Sequence, residues 1–211
     1  VAHGRGRLRL RNGKCFTLLT VMQDLDGHEE RLRSTRPIGT ENRIDPGMKS
    51  WGQLRAEEQA ALGYEEQPYC VIIGGGQGGI ALGARLRQLD VPTIIVERNA
   101  RPGDSWRNRY ESLCLHDPVW YDHLPYIPFP DHWPIYTPKD QLGDWLEMYT
   151  KVMNLNYWGS TTCTRAEYDD ESERWTVEVS RDGDAVTLRP HHLILATGMS
   201  GVPNVPALPG V

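Results

Sequence analysis

Tyr69-Cys70-Val71-Ile72-Ile73 runs into Gly74-Gly75-Gly76-Gln77-Gly78-Gly79, and Thr93-Ile94-Ile95-Val96 follows and ends on Glu97. The first five residues read as a buried strand and the glycines as a tight turn. Leu82, Leu86 and Leu89 recur at helical spacing, and the second apolar run reads as a parallel strand. The glycines serve different ends. Gly74 permits the sharp exit from the strand, Gly76 removes a side chain where backbone must approach a pyrophosphate, and Gly79 lets the helix pack on the strand. The helix N-terminus then offers free N–H groups to the phosphates. Glu97, at the carboxyl end of the second strand, can accept hydrogen bonds from ribose hydroxyls. An acid at that place favours an unphosphorylated adenosine ribose, so FAD or NAD fits better than NADP.

Outward from this unit, the chain has 211 residues, room for one large domain or for one domain and part of another. It begins at Val1 and stops just after the loop 202–210, so a piece of a longer protein is expected. The net charge of -5 gives no reason to expect nucleic-acid binding. The four cysteines, Cys15, Cys70, Cys114 and Cys163, form neither a zinc pattern nor a CxxC pair. Reduced thiols and a cytoplasmic location are expected. The sequence has no signal-peptide core and no apolar run long enough for a membrane span.

Residues 1–25 read as sheet. Arg5, Arg7, Arg9 and Arg11 alternate with Gly6, Leu8 and Leu10, the pattern of a half-exposed strand, and Asn12-Gly13 is a hairpin turn into the run Cys15 to Val21. Without interleaved aromatics, and with Asp24, Asp26, Glu29 and Glu30 close behind, the arginines read as a solvated face. Residues 26–66 are a polar, turn-rich linker, including Asp45-Pro46-Gly47, in which Ser50-Trp51-Gly52-Gln53 opens a short helix with a capping box.

After Glu97 come Gly103-Asp104-Ser105-Trp106 and a run to Pro138 dense in Pro, Tyr, Trp, His and Asp. Such a run has few periodic positions, yet its aromatics need burial, so it reads as an ordered wall packed over a ligand. Thr137-Pro138-Lys139-Asp140 supplies a cap, an N1 proline and an acid for a helix with Leu142, Trp145, Leu146, Tyr149 and Val152 on one face. Strands then return at Thr162–Tyr168, Trp175–Ser180 and Ala185–Leu188 as an antiparallel meander. His192-Leu193-Ile194-Leu195-Ala196 is a buried strand ending in Thr197-Gly198. His116, His123 and His132 lie in irregular segments without metal-site spacing, and His116 reads as a structural histidine or as a group that hydrogen-bonds a ligand.

Taken together, the glycine turn, Glu97, Gly103 to Trp106, Leu113-Cys114-Leu115-His116, Pro128-Phe129-Pro130, Tyr136 to Lys139 and Ala196-Thr197-Gly198 resemble the FAD-binding half of flavin-containing monooxygenases, especially the plant indole-pyruvate monooxygenases and their fungal and bacterial relatives. The resemblance covers residues 67–211. Residues 1–25 more distantly resemble the end of an NTF2-like domain. The implied fold class is α/β: a Rossmann-like FAD-binding domain with an inserted antiparallel meander, preceded by a partial α+β NTF2-like segment through which a homodimer can form. An NADPH-binding unit is expected beyond residue 211.

The resemblance further implies that Gly74, Gly76, Gly78 and Gly79 approach the FAD pyrophosphate, that Glu97 binds the adenosine ribose, and that Arg98 lies near the adenine edge. Gly103 and Trp106 would pass the ribityl chain and the flavin. Leu115 and His116 would sit near the isoalloxazine, Cys163 in the slot whose backbone contacts adenine, and Ala196 and Gly198 at the closing end of the site. No side chain here need be a nucleophile; Trp106 and His116 are the flavin-proximal candidates. The implied activity is an NADPH-consuming monooxygenase that transfers one oxygen atom from O2 to a small organic substrate through a flavin C4a-hydroperoxide, with this piece inactive alone. Two alternatives stay open: an FAD-dependent pyridine-nucleotide oxidoreductase without oxygenase activity, and an NTF2-like scaffold with an inactive flavin domain.

Overall fold

The computed structural model describes residues 2–39, 47–199 and 206. The turn at Asp45-Pro46 and nearly all of the loop 202–210 lie outside the described residues. Contacts group the chain into two units, Val1–Pro46 and Gly47–Val211.

The first unit is a two-stranded antiparallel hairpin, β1 (Ala2–Arg11) and β2 (Lys14–Leu25), turned at Asn12-Gly13 with φ of 52° and 72°. Positive φ at both central residues matches the twist of the flanking strands, which is why Asn-Gly suits the turn. Leu8 pairs with Leu18, and Gly4 with Met22, so one face carries Leu8, Leu10, Leu18 and Met22 while the arginines line the other. The half-burial expected of these strands is not found: every residue of both is exposed.

The second unit opens with α1 (Trp51–Ala61), begun by the expected capping box. The Gln53 amide donates to Ser50 Oγ at 3.2 Å, and the Ser50 amide donates to Gln53 Oε1 at 2.8 Å. Then come β3 (Cys70–Ile73), α2 (Gln77–Gln88), β4 (Thr93–Val96), a short α3 (Asp104–Arg107), α4 (Lys139–Val152) and β5 (Tyr157–Trp158). The chain ends on β6 (Thr161–Asp169), β7 (Arg174–Arg181), β8 (Asp184–Leu188) and β9 (His192–Leu195). A parallel sheet has the order β5-β4-β3-β9, and β6-β7-β8 form a separate antiparallel meander inserted before β9. This is a Rossmann-like sheet, in which ligands bind beyond the carboxyl ends of the strands.

Alternation along the central strands divides the interior. Ile72 and Ile95 face a layer built by Ile80, Ala84, Leu142, Leu146 and Tyr149, while Val71, Ile94 and Val96 face Trp158, Val177, Val179 and Leu188. Each fully buried branched side chain contributes about 1.5–3 kcal/mol relative to exposure. The small residues of α2 make the close approach possible: a Cβ on Gly83 would lie 2.6 Å from Ile95 Cδ1.

Three local expectations change. α4 starts after Pro138, no side chain caps it, and Thr137 Oγ1 is buried without a partner. The hydroxyl is taken into the core because the chain before the helix bridges to Cys114 and does not turn over the helix end. Val152 is exposed and the last inward position is held by Met153. Leu89 is not in α2 but caps its end.

Candidate functional site

The site forms where β3, β4 and β9 end. Gly74 adopts a φ of 111°, and a Cβ there would lie 2.3 Å from Ala196 O, because the Ala196 amide donates to Ile73 O and draws the end of β9 against the turn. A Cβ on Gly79 would lie 1.9 Å from Gly74 O, so this glycine is required for the helix to meet the strand. Gly76 and Gly78 differ in kind. Among the described residues, a Cβ on Gly76 would meet only Ser105 Oγ at 3.9 Å, and one on Gly78 nothing within 4 Å. Two glycines that packing does not require leave a bare backbone cradle at the N-terminus of α2, a place suited to a phosphate group.

Glu97 closes the adjoining edge. It is only 8% exposed. Its Oε2 accepts the Gly75 amide at 2.7 Å, and its Oε1 accepts the Asn99 amide at 2.9 Å and Asn99 Nδ2 at 2.7 Å. The carboxylate is thus pinned to the glycine turn, with lone pairs left for further donors. Tyr157, from the short β5, covers the turn and donates to Gly75 O at 3.3 Å; burial first, then the carboxylates of Glu97 and Asp104, pushes its hydroxyl pKa up. Arg98 is exposed beside Glu97. The Thr161 amide donates to Glu97 O at 2.9 Å and so brings the start of β6 to this edge. Cys163 lies two residues further on, its thiol packed toward the meander core and raised in pKa by burial.

Gly103 is fixed by packing. At a φ of 89° it sits against α4, where a Cβ would lie 2.2 Å from Gly143 O. The half-buried Arg107 ties the same segment down, donating to Pro102 O, Asp104, Asp144 and Glu147, and Lys139 Nζ donates to Arg107 O at 2.8 Å. This latch holds α3 so that Trp106 Nε1 donates to Gln77 Oε1 at 3.1 Å. Trp106, Leu115 and His116 then line one cavity of about 590 Å³, which also reaches Gln77 and Gly78 at the start of α2. Gly198, at a φ of 73°, follows β9, and no atom of the described residues lies within 4 Å of its Cβ position.

The structure therefore brings together the glycine turn, Glu97 and Ala196, and separately Trp106, Leu115 and His116 around the cavity that begins at α2. Arg98, Cys163 and Gly198 lie at the margins. Sequence reasoning missed Asn99, Tyr157 and Gln77. Asn99 directly follows the strand-end acid and its neighbour Arg98, and could have been found as the acid's local partner. The other two have no local signal, since their partners come from segments distant in sequence. His123 is a loop residue whose Nδ1 accepts the Phe129 amide at 3.0 Å. Among the described residues, no group of three or more His, Cys, Asp or Glu is placed to hold a metal ion, the four cysteines are free thiols, and no helix is long and apolar enough to cross a membrane.

The cradle tests the fit of a dinucleotide: open backbone at Gly76 and Gly78, a strand-end carboxylate with spare lone pairs, and an adjoining apolar cavity suit a pyrophosphate, a ribose and a flat ring in turn. The pyridine nucleotide-disulphide oxidoreductase profile matches residues 68–211. The chain is 35% identical over 145 residues to indole-3-pyruvate monooxygenase YUCCA1 of Oryza sativa subsp. japonica, an overlap of 68% of this chain and 35% of that protein. It superposes on a flavin-containing monooxygenase from Stenotrophomonas maltophilia with a TM-score of 0.58 at 28% identity, covering 66% of this chain and 41% of the other. The fold alone is shared with OTEMO in complex with FAD and NADP, with a TM-score of 0.59 at 23% identity over 69% of this chain and 29% of that one. The chain thus spans about a third of the length of the plant relative, and its likeness lies toward flavin-dependent monooxygenases. It belongs to the pyridine nucleotide-disulphide oxidoreductase family.

Proposed function

We propose that this chain is the FAD-binding part of an NADPH-dependent flavin monooxygenase acting on a small organic substrate and O2. The observation that carries the reading is the bare cradle at Gly76 and Gly78, continuous with a cavity walled by Trp106 and His116 and flanked by Glu97. In this reading Gly74 to Gly79 and the first amides of α2 hold the pyrophosphate, Glu97 the adenosine ribose, and Arg98, Cys163, Ala196 and Gly198 the margins. When bound, FAD supplies the electron transfer from NADPH and the activation of oxygen; the chain supplies orientation and a dry pocket. The ring of Trp106 and the apolar side chains of Leu115, Phe129 and Leu146 exclude water there. Binding of NADPH falls to residues outside this sequence.

An enzyme that passes electrons from flavin to a disulfide needs paired cysteines beside the ring. Cys114 is the one cysteine among the described residues lining the cavity, which counts against the kind of enzyme that carries its redox pair soon after the second strand. The hairpin β1–β2 is read as the end of an NTF2-like domain, a reading supported by the apolar face of Leu8, Leu10, Leu18 and Met22, which needs a further layer to cover it.

The test is an absorption spectrum of the purified full-length protein with and without NADPH in air. Flavin bands that bleach on NADPH and recover with oxygen, with an oxygenated product, are expected. Absence of flavin after reconstitution overturns the reading.

A further inference from the structure

One group in the cavity wall has no place in the flavin reading. Asp122 follows a 3-10 turn formed by Val119–Tyr121 and lines the same cavity as Trp106. Its Oδ2 is buried and has no hydrogen-bond partner among the described residues. The wall around it is largely apolar, with Leu115, Leu124, Phe129 and Leu146. A buried acceptor left unpaired is destabilising, and a donor on a bound molecule would relieve it.

The groups nearby do not supply that donor. Asp117 is a second carboxylate and repels it; His123 accepts the Phe129 amide at Nδ1, which leaves its proton on Nε2, and although His123 attracts the carboxylate no hydrogen bond from it reaches Oδ2. Arg109, also on the wall, donates from Nε to Ser105 O at 3.3 Å and lies over the Trp106 ring. Burial, with Asp117 adding, pushes the Asp122 carboxyl up from its ordinary range. The aromatic and aliphatic walls of the cavity suit a flat apolar body.

We propose that Asp122 is the specificity-determining acceptor of this cavity and takes a hydrogen bond from the N–H of a planar aromatic ring. The proposal rests on the flavin-site reading above. Two rings carry such a group: the isoalloxazine of FAD, at N3, and an indole-like substrate, at its pyrrole nitrogen.

The experiment uses the full-length protein and two matched pairs of probes, FAD against N3-methyl-FAD and, on the FAD-loaded protein, indole against 1-methylindole. The wild type is expected to bind the N–H member of one pair at least tenfold more tightly than its methylated partner, the equivalent of about 1.4 kcal/mol. Asp122→Asn, whose amide oxygen still accepts, keeps the preference, and Asp122→Leu abolishes it. A preference within the FAD pair assigns the ring to the cofactor; one within the indole pair assigns it to the substrate. A wild type that binds FAD but distinguishes neither pair overturns the proposal, without need of any variant, and leaves the flavin reading standing. So does a preference that survives in Asp122→Leu. A wild type that takes up neither FAD nor indole overturns both.

Discussion

The Gly75 amide donates to Glu97 Oε2 at 2.7 Å, joining the strand-end acid to the turn that it was expected only to neighbour. From sequence, Glu97 reads as a ribose acceptor. In the structure it is also buried and accepts both donors of Asn99. Glu97→Ala therefore leaves the Gly75 amide and Asn99 without their acceptor, and apo-protein stability should fall by about 1–3 kcal/mol along with FAD affinity. Glu97→Gln keeps one acceptor and should lose less of each. Denaturant unfolding of the apo-protein beside FAD titration separates the two effects; an Ala variant with unchanged apo stability would contradict the geometry.

Gly76 and Gly79 make a matched pair. Ala at 79 would place its Cβ 1.9 Å from Gly74 O, a backbone atom that cannot yield without moving β3, and should cost about 3 kcal/mol or more of stability. Ala at 76 meets only Ser105 Oγ at 3.9 Å, so the melting temperature should hold within a degree or two while FAD affinity falls tenfold or more, about 1.4 kcal/mol. Undiminished FAD binding by Gly76→Ala would remove the pyrophosphate from that cradle.

The parts of the fold legible in sequence are those written in local pattern. β3, the glycine turn and β4 were legible because apolar runs and glycines at fixed offsets need no distant partner, and the meander because its strands are joined by short turns. β5 was not: Tyr157-Trp158 is two residues long, and it is a strand only because the Ile95 and Glu97 amides reach Asn156 O and Trp158 O from β4. Cavity membership was partly legible, since the density of aromatics between Trp106 and Tyr136 announces a wall. Which residues face the ligand was not, because the path of that segment is set by contacts such as Phe129 on Trp133 and Trp145. Gly103 shows the same limit: the resemblance implied a place beside the ribityl chain, and only the structure shows that its side-chain direction is filled by α4.

Glu58 on α1 carries an acid-stability prediction. Burial alone would raise its carboxyl pKa, but hydrogen bonds from Arg87, Arg55 and Asn156 outweigh that and hold it at about 2, against an unfolded value of 4.5. A folded-state pKa below the unfolded one gives stability that is full above pH 4.5 and lost as pH falls toward about 2. Its side chain is 33% exposed, so the contribution is set at about 1 kcal/mol, below that of a fully buried pair. Glu58→Gln should be less stable than wild type by that amount at pH 7 and indistinguishable from it at pH 2, by denaturation midpoints at the two pH values. A difference that persists at pH 2 would place the effect in packing.

Trp106 is the residue on which water exclusion should depend most. It is held from two sides, by its Nε1 donating to Gln77 and by the Arg107 latch on the segment before it, and its ring lines the cavity that opens at α2. Trp106→Ala leaves Gly76, Gly78 and Glu97 untouched, so FAD should remain bound, though more weakly, in the full-length protein. Loss of the ring opens space for water beside the flavin, and the variant should release more hydrogen peroxide per NADPH consumed. Trp106→Phe restores most of the apolar surface without the N–H to Gln77; it should recover coupling if exclusion by the ring matters, and stay uncoupled if the hydrogen bond is what places it. A peroxide assay, NADPH consumption and a melting curve on the same preparations decide between this role and that of an ordinary packing tryptophan. The packing role predicts a lower melting temperature with an unchanged peroxide yield, and that result would take Trp106 out of the site.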